Sequence, residues 1–228
     1  MHNLAIIPAR GGSKRIPGKN IKFFLGKPII AYSIEAALKT GLFDEIMVST
    51  EDKNIANIAK TYGASIPFYR SPDNADDYAT LSDVLIEVVN NYNKLGLNFD
   101  NICCILPTAP LISVNQIREA YKKLYSEQVD SICAIVKFSY PIFRSLEFSG
   151  QRLKMIWPEY LRTRSQDLKT IYHDAGSFYW IKSSALLKEK TLYCKEGSGY
   201  ELTELQVQDI DSEIDWQLAE LKYKLLYQ

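Results

Sequence analysis

The chain has 228 residues, 46% of them hydrophobic and 24% charged, with 11 Gly and 9 Pro, a composition that excludes disordered, collagen-like and low-complexity classes. Lys plus Arg and Asp plus Glu both number 27, so no overall charge draws the molecule onto nucleic acid, and any anion site must be local. Area scaling gives about 10,500 Å² exposed and roughly 70% of the unfolded surface buried, enough for a core without staples.

The N-terminal run Leu4-Ala5-Ile6-Ile7 enters Pro8-Ala9-Arg10 too soon for a signal peptide, and no stretch approaches the ~18 apolar residues of a membrane helix. Cytoplasm is the expected compartment, with no membrane partner. Cys103, Cys104, Cys133 and Cys194 form no C-x-x-C pair, and only His2 and His173 could join them, so they read as reduced core residues rather than a zinc site.

Short apolar runs alternate with helical spacings, the pattern of βαβ units around a mostly parallel sheet. Leu4 to Pro8 reads as a strand, and Ile30, Ile34, Ala37 and Leu38 as a helix face that Gly41 terminates. Ile46 to Ser49 is a second strand. Ile55, Ile58, Ala59 and Tyr62 mark a helix closed by Gly63, with a short strand expected at Ile66 to Tyr69. Leu81, Val84, Leu85, Val88 and Val89 form an amphipathic helix before the buried strand Ile102 to Leu106. Ile117, Ala120, Tyr121 and Leu124 then lead to the strand Ser131 to Val136.

From Lys137 to Tyr172 both periods fail among Tyr140-Pro141, Gly150, Trp157-Pro158 and Arg162-Thr163-Arg164. The segment reads as an insertion: a dimer contact, a lid over a site or a surface excursion. Residues 1–137 and 173–228 are accordingly expected to form one α/β domain and 138–172 an inserted element. Regular structure resumes with strands expected at Ser177 to Lys182 and Val207 to Ile210, then a closing helix marked by Ile214, Leu218, Leu221 and Leu225. Ser212 followed by Asp215 is close to a capping box and sets that helix's start just after Asp211.

Ile7-Pro8-Ala9-Arg10-Gly11-Gly12-Ser13-Lys14-Arg15-Ile16-Pro17-Gly18-Lys19-Asn20 places paired glycines and four cations directly after the first strand. Gly11 and Gly12 permit positive φ and close approach of N–H groups to an anion, and Arg10, Lys14, Arg15 and Lys19 can neutralise a triphosphate. A Walker loop is excluded because five residues separate Gly12 from Gly18 and Asn20 follows Lys19; no G-x-G-x-x-G occurs. The bland alternative is a solvated basic turn. Near the other end, Asp209 and Asp211 at i and i+2 in an extended piece can share one hard cation, Mg²⁺ by chemistry, although Asp211 could simply stabilise the last helix's N-terminus. Thr108 in Pro107-Thr108-Ala109-Pro110 follows a buried strand, where α/β sheets bind ligands. Arg70 occupies another expected strand exit, with Asp73, Asp76 and Asp77 serving a site or only a turn. Arg162, Arg164, Gln166, His173 and Asp174 flank the irregular segment, where a guanidinium could hold a sugar carboxylate; a lone histidine is as readily structural.

The N-terminal loop and Asp209-Ile210-Asp211 together resemble the CMP-sialic acid synthetase family of cytidylyltransferases over nearly the whole chain. The stretches from Thr163 to Gly176 and from Val207 to Asp211 look like its branch that activates pseudaminic acid. The resemblance implies a Rossmann-like three-layer α/β nucleotidyltransferase fold with an inserted dimerisation element. It also implies a Mg²⁺-dependent homodimer that joins CTP to a nine-carbon α-keto sugar acid, releasing pyrophosphate. Arg10, Lys14, Lys19, Asp209 and Asp211 are then the expected catalytic residues, the two aspartates as metal ligands. Ala9, Gly11, Gly12, Ser13, Asn20, Arg70, Asp77 and Thr108 would surround the nucleotide, and Arg144, Arg164, Gln166 and His173 the sugar.

Leu106 and Ala175 stand where the sialic acid enzymes carry Gln and Asn, which counts against sialic acid itself. The reaction implied is an in-line attack of the anomeric hydroxyl on the α-phosphorus, without a covalent protein intermediate and with the base unassigned. Legionaminic or sialic acid is the alternative substrate. A non-catalytic nucleotide-binding protein is the alternative of a different class.

Overall fold

Asn3–Pro8 is buried at every position, as a strand covered by helices on both faces must be, and forms β1. The computed structural model describes residues 1–228. The other elements follow in chain order: β2 (Phe23–Phe24), β3 (Lys27–Pro28), α1 (Ile29–Thr40), β4 (Glu45–Ser49), α2 (Lys53–Thr61), α3 (Leu81–Lys94), β5 (Asn101–Ile105), α4 (Val114–Ser126) and β6 (Ser131–Lys137). After these come β7 (Leu146–Ser149), β8 (Arg152–Met155), β9 (Tyr172–Lys182), α5 (Ser183–Glu189), β10 (Gly197–Leu202) and α6 (Glu213–Tyr227).

Six strands make one sheet in the order β10-β6-β9-β5-β1-β4, parallel except at β9, which runs antiparallel to both neighbours. The expected mostly parallel α/β architecture is therefore present. One core, including Ile7, Ile34, Val48, Ile117 and Trp180, lies under α1, α2 and α4; the other, including Leu4, Ile6, Leu85, Val88 and Ile181, lies under α3 and α5. All four cysteines are buried and unpaired. Because β9 is reversed, its N-terminal end shares an edge with the carboxyl ends of β1, β4, β5 and β6, and that edge carries the candidate site.

Four sequence expectations need correction. Ile66 to Tyr69 is no strand: Pro67 lacks an N–H, and only a single bridge, Ser65 to Met47, forms beside β4. Val207 to Ile210 joins no ladder either, and the edge position beside β6 is taken by β10, a Gly-containing strand without a clear apolar alternation. Leu38 is 44% exposed, so the buried face of α1 runs through Ile29, Ile30, Ile34 and Ala37 instead. Ile214, Leu218, Leu221 and Leu225 do lie on a helix, but they face outward, at 69%, 42%, 57% and 76% exposure. The competing stripe of Trp216, Ala219 and Tyr223 packs inward with Phe24 and Tyr32; aromatic rings bury more area than the leucine face would.

Between β6 and β9 the chain forms the hairpin β7–β8 and three short 3₁₀ turns, exposing Leu146, Phe148, Leu153 and Leu161. This projection and the outward face of α6 help raise the total accessible area to 12,387 Å².

Ser212 and Asp215 form the expected capping box: Ser212 Oγ accepts from the Asp215 N–H at 3.3 Å while Asp215 Oδ2 accepts from Ser212 N–H at 2.8 Å. The same Oδ2 accepts from the Asp211 N–H at 3.1 Å, so the cap also sets the acidic segment. Ser212→Ala should cost about 1 kcal/mol and lower Tm by roughly 2–4 °C, with Ser212→Asp restoring most of it; calorimetry of the three proteins checks this.

Candidate active site

The loop after β1 is held from below. Ala9 is fully buried and its N–H is taken by Ser49 O at 2.9 Å, so contrary to expectation it lies beneath the cleft and does not line it, and neither Gly11 nor Gly12 lines it either. Gly11 N–H donates to Glu51 Oε1 at 2.6 Å, and Asn20 Nδ2 donates to Arg10 O at 2.9 Å. Neither Gly11 nor Gly12 has positive φ, contrary to the sequence expectation. Gly11 is required for another reason: a Cβ there would stand 2.7 Å from Oδ2 of Asp52, a side chain held in place by its other oxygen, Oδ1, which caps α2. Gly12 faces open space, and the left-handed position is Gly18 at φ 62°.

The loop's cations face carboxylates on two sides. Arg10 Nη1 donates to Asp77 Oδ1 at 2.7 Å and to Asp76 O at 3.2 Å, and Lys14 bonds the other oxygen of Asp77. The Lys14 and Arg10 hydrogen bonds hold the Asp77 carboxyl below its ordinary range. Across the loop, Arg15 Nη1 lies 2.7 Å from Asp211 Oδ2, and Lys19 Nζ donates to Ile210 O at 2.7 Å and approaches Asp211 Oδ1 at 3.5 Å. Arg10, Ser13, Lys14, Lys19, Asn20, Arg70, Asp77 and Thr108 thus line one cleft of about 290 Å³ at the carboxyl ends of β1 and β5. Its buried wall is Arg70, whose Nε donates to Ser49 Oγ at 3.1 Å; burial lowers its pKa, opposed by Glu51 and Glu87.

A second cleft of about 460 Å³ joins His173 and Asp209 with Lys137, Asp174, Gln208 and Lys222. Residues 207–211 have no strand partner, so side chains hold them: Lys222 Nζ donates to Glu204 O at 2.9 Å and Val207 O at 2.6 Å, Lys19 holds Ile210 O, and Ile210 is fully buried. With Ile210 inward, Asp209 and Asp211 flank it. Burial and then the charge of Asp211 raise the Asp209 pKa, a repulsion that a divalent cation would relieve. No cluster of three or more His, Cys, Asp or Glu occurs; Asp209 and Asp211 are the two carboxylates that could share a divalent cation, with Asp209 lining the second cleft and Asp211 lining neither, its two oxygens facing Arg15 and Lys19.

Arg144, Arg164 and Gln166 of the inserted element line neither cleft, contrary to expectation, and Ser139 is the residue of 138–172 that reaches the second one. Arg144 donates to Thr163 O, and Arg164 pairs with Asp167 at 2.7 Å. Gln166 lines a separate hollow, which shares Lys137 and Ser139 with the second cleft. His173 Nδ1 lies 2.9 Å from Asp174 O, and its ring packs on Phe138.

Three site groups lie outside the residues expected to act. Asp174, named from the sequence beside the irregular segment but given no role there, accepts from Gly176 N–H at 2.8 Å, Tyr179 OH at 2.6 Å and Tyr193 OH. Glu51, two residues beyond β4, is signalled only by standing at a strand's carboxyl end, and its Oε2 is buried without a partner. Lys222 carried no signal, being one lysine among several on a helix.

A family model described as Cytidylyltransferase matches residues 4–224. A pseudaminic acid cytidylyltransferase of Campylobacter jejuni is 43% identical over 99% of this chain and 97% of its own length. A CMP-N,N'-diacetyllegionaminic acid synthase of Legionella pneumophila is 36% identical over 96% and 95%. In fold, the chain matches a CMP:2-keto-3-deoxy-manno-octonic acid synthetase solved with CTP, with a TM-score of 0.71 at 16% identity over 99% of each chain.

The raised Asp209 pKa fixes a sign. Ionised Asp209 destabilises the fold above its folded-state pKa, and the penalty vanishes below the ordinary carboxylate range. Asp209→Asn should therefore raise the Tm of the protein slightly at pH 7, solvent screening of this exposed residue keeping the gain small, with the gain disappearing toward acid. Thermal scans of both proteins from neutral to acid pH will read the difference.

Proposed function

The chain belongs to the cytidylyltransferase family, and we propose that within it the enzyme condenses CTP with pseudaminic acid to give CMP-pseudaminic acid and pyrophosphate. The observation that carries the substrate assignment is full-length similarity at 43% and 42% to two pseudaminic acid enzymes, against 36% to a legionaminic acid synthase. Membership in a family of transferases displaces the non-catalytic binder as a reading.

The cleft chemistry supports the same reaction. The basic loop offers Arg10, Lys14 and Lys19 to the triphosphate, with Ser13 and Asn20 beside them, and Arg70 and Thr108 line the same cleft for the nucleoside. The sugar acid is assigned to the adjoining cleft with His173, where Lys137 and Lys222 supply positive charge. Asp209 and Asp211 would hold Mg²⁺, which when bound supplies charge neutralisation at the α-phosphate. The anomeric oxygen forms a bond to the α-phosphorus as the α–β bridging bond breaks, its electron pair leaving with pyrophosphate and the hydroxyl proton passing to solvent. Loop cations stabilise the departing charge without reorganising, because their backbone is already fixed by Glu51, Asn20 and the Asp52 contact.

We assign the enzyme to the cytoplasm, where CTP is available; no helix is long and apolar enough to cross a membrane. We also assign a homodimer formed through residues 138–172. Its support is the row of exposed apolar side chains on β7 and β8, and the position of Arg144 and Arg164, which reach neither cleft of their own subunit.

Pyrophosphate release with CTP and Mg²⁺ should be fast on pseudaminic acid and at least tenfold slower on legionaminic and sialic acids. Preference for either of those would overturn the substrate while keeping the chemistry. Asp211→Ala should lower kcat by at least about a hundredfold in folded protein, and near-normal turnover would remove the metal assignment.

A further inference from the structure

The contact between Asp77 and the basic loop is a competition. Arg10 and Lys14 are offered to the triphosphate by the proposed function, yet both already bond one carboxylate, with Arg10 Nη1 at 2.7 Å from Oδ1 and Lys14 on Oδ2. A carboxylate bridging two cations has the charge and spread of a phosphate's two oxygens. Nothing else occupies it: the donors to Asp77 come only from these two side chains, which lie 67 and 63 residues away in sequence. The backbone that presents it is fixed, because Asp76 Oδ1 accepts from the N–H groups of Tyr78 and Ala79 at 2.9 and 2.8 Å and the Asp76 carbonyl accepts from Arg10. The pairs are solvent-exposed, with Lys14 at 78% and Asp77 at 45%, so they can exchange quickly.

We propose that Asp77 is a built-in competitor for the β- and γ-phosphates: it pairs with Arg10 and Lys14 before CTP binds, yields them to CTP, and reclaims them as pyrophosphate departs. The inference rests on the proposed reaction and adds a product-release role for a residue that would otherwise be a nucleotide contact. A triphosphate carries enough charge to displace one carboxylate, while a pyrophosphate that has lost its link to the nucleotide must hold the same cations against a tethered rival. CMP, having neither outer phosphate, leaves Asp77 in place.

Binding of inorganic pyrophosphate, CTP and CMP to wild type, Asp77→Asn and Asp73→Asn, measured by titration calorimetry with Mg²⁺ present, tests this. Asp73 lies on the same loop, exposed and without an ion pair, and controls for the lost charge. Asp77→Asn should bind pyrophosphate and CTP roughly threefold or more tightly, the scale of losing exposed ion-pair competition, with CMP unchanged and Asp73→Asn like wild type. Weaker or equal pyrophosphate binding in Asp77→Asn would overturn the proposal, since a residue that merely orients the two cations must lose affinity on substitution. Equal tightening of CMP, or tightening in Asp73→Asn, would overturn it as well. Wild-type protein that binds pyrophosphate but not CTP would sink the nucleotide reading separately, leaving the competition to be judged on pyrophosphate alone.

Discussion

Everything at this edge of the sheet depends on how four cations in ten residues are kept together. Arg10, Lys14, Arg15 and Lys19 repel one another, and the structure answers with one carboxylate on each flank: Asp77 for the first two and Asp211 for the last two. Exposed pairs of this kind contribute little to stability. Their effect is on position, since they hold the loop's charges at the cleft while Glu51 and Asn20 fix its backbone.

Asp211 belongs to both halves of that arrangement. It faces Arg15 and Lys19, and it shares with Asp209 the cost of placing two negative charges beside one buried isoleucine. No sheet partner holds this segment, so its shape is set by long-range side chains: Lys19 from the loop, Lys222 from α6, and the Ser212–Asp215 cap. Lys19 in particular ties the basic loop to the acidic segment, bonding Ile210 O and facing Asp211.

Much of this was legible in the sequence. The buried strands, the αL end of α1 at Gly41 and the capping box at Ser212 follow from local chemistry, and the four cations after β1 come together at the cleft where their spacing puts them. Features decided by distant partners were not legible. Val207 to Ile210 is bounded by two β-branched residues, yet the Gly-containing Gly197 to Leu202 found the open edge of β6. The leucine stripe of α6 lost to an aromatic stripe whose partners, Phe24 and Tyr32, lie about 190 residues earlier. The need for Gly11 comes from Asp52, and the partner of Arg10 is Asp77; neither spacing has a sequence signature.

The most direct test is a crystal structure with CTP and Mn²⁺ as an anomalous stand-in for Mg²⁺. The account predicts the triphosphate on Arg10 and Lys14, Asp77 released from both, and one anomalous peak between Asp209 and Asp211 touching a phosphate oxygen. A triphosphate bound away from the loop, or a metal held without either aspartate, would contradict it.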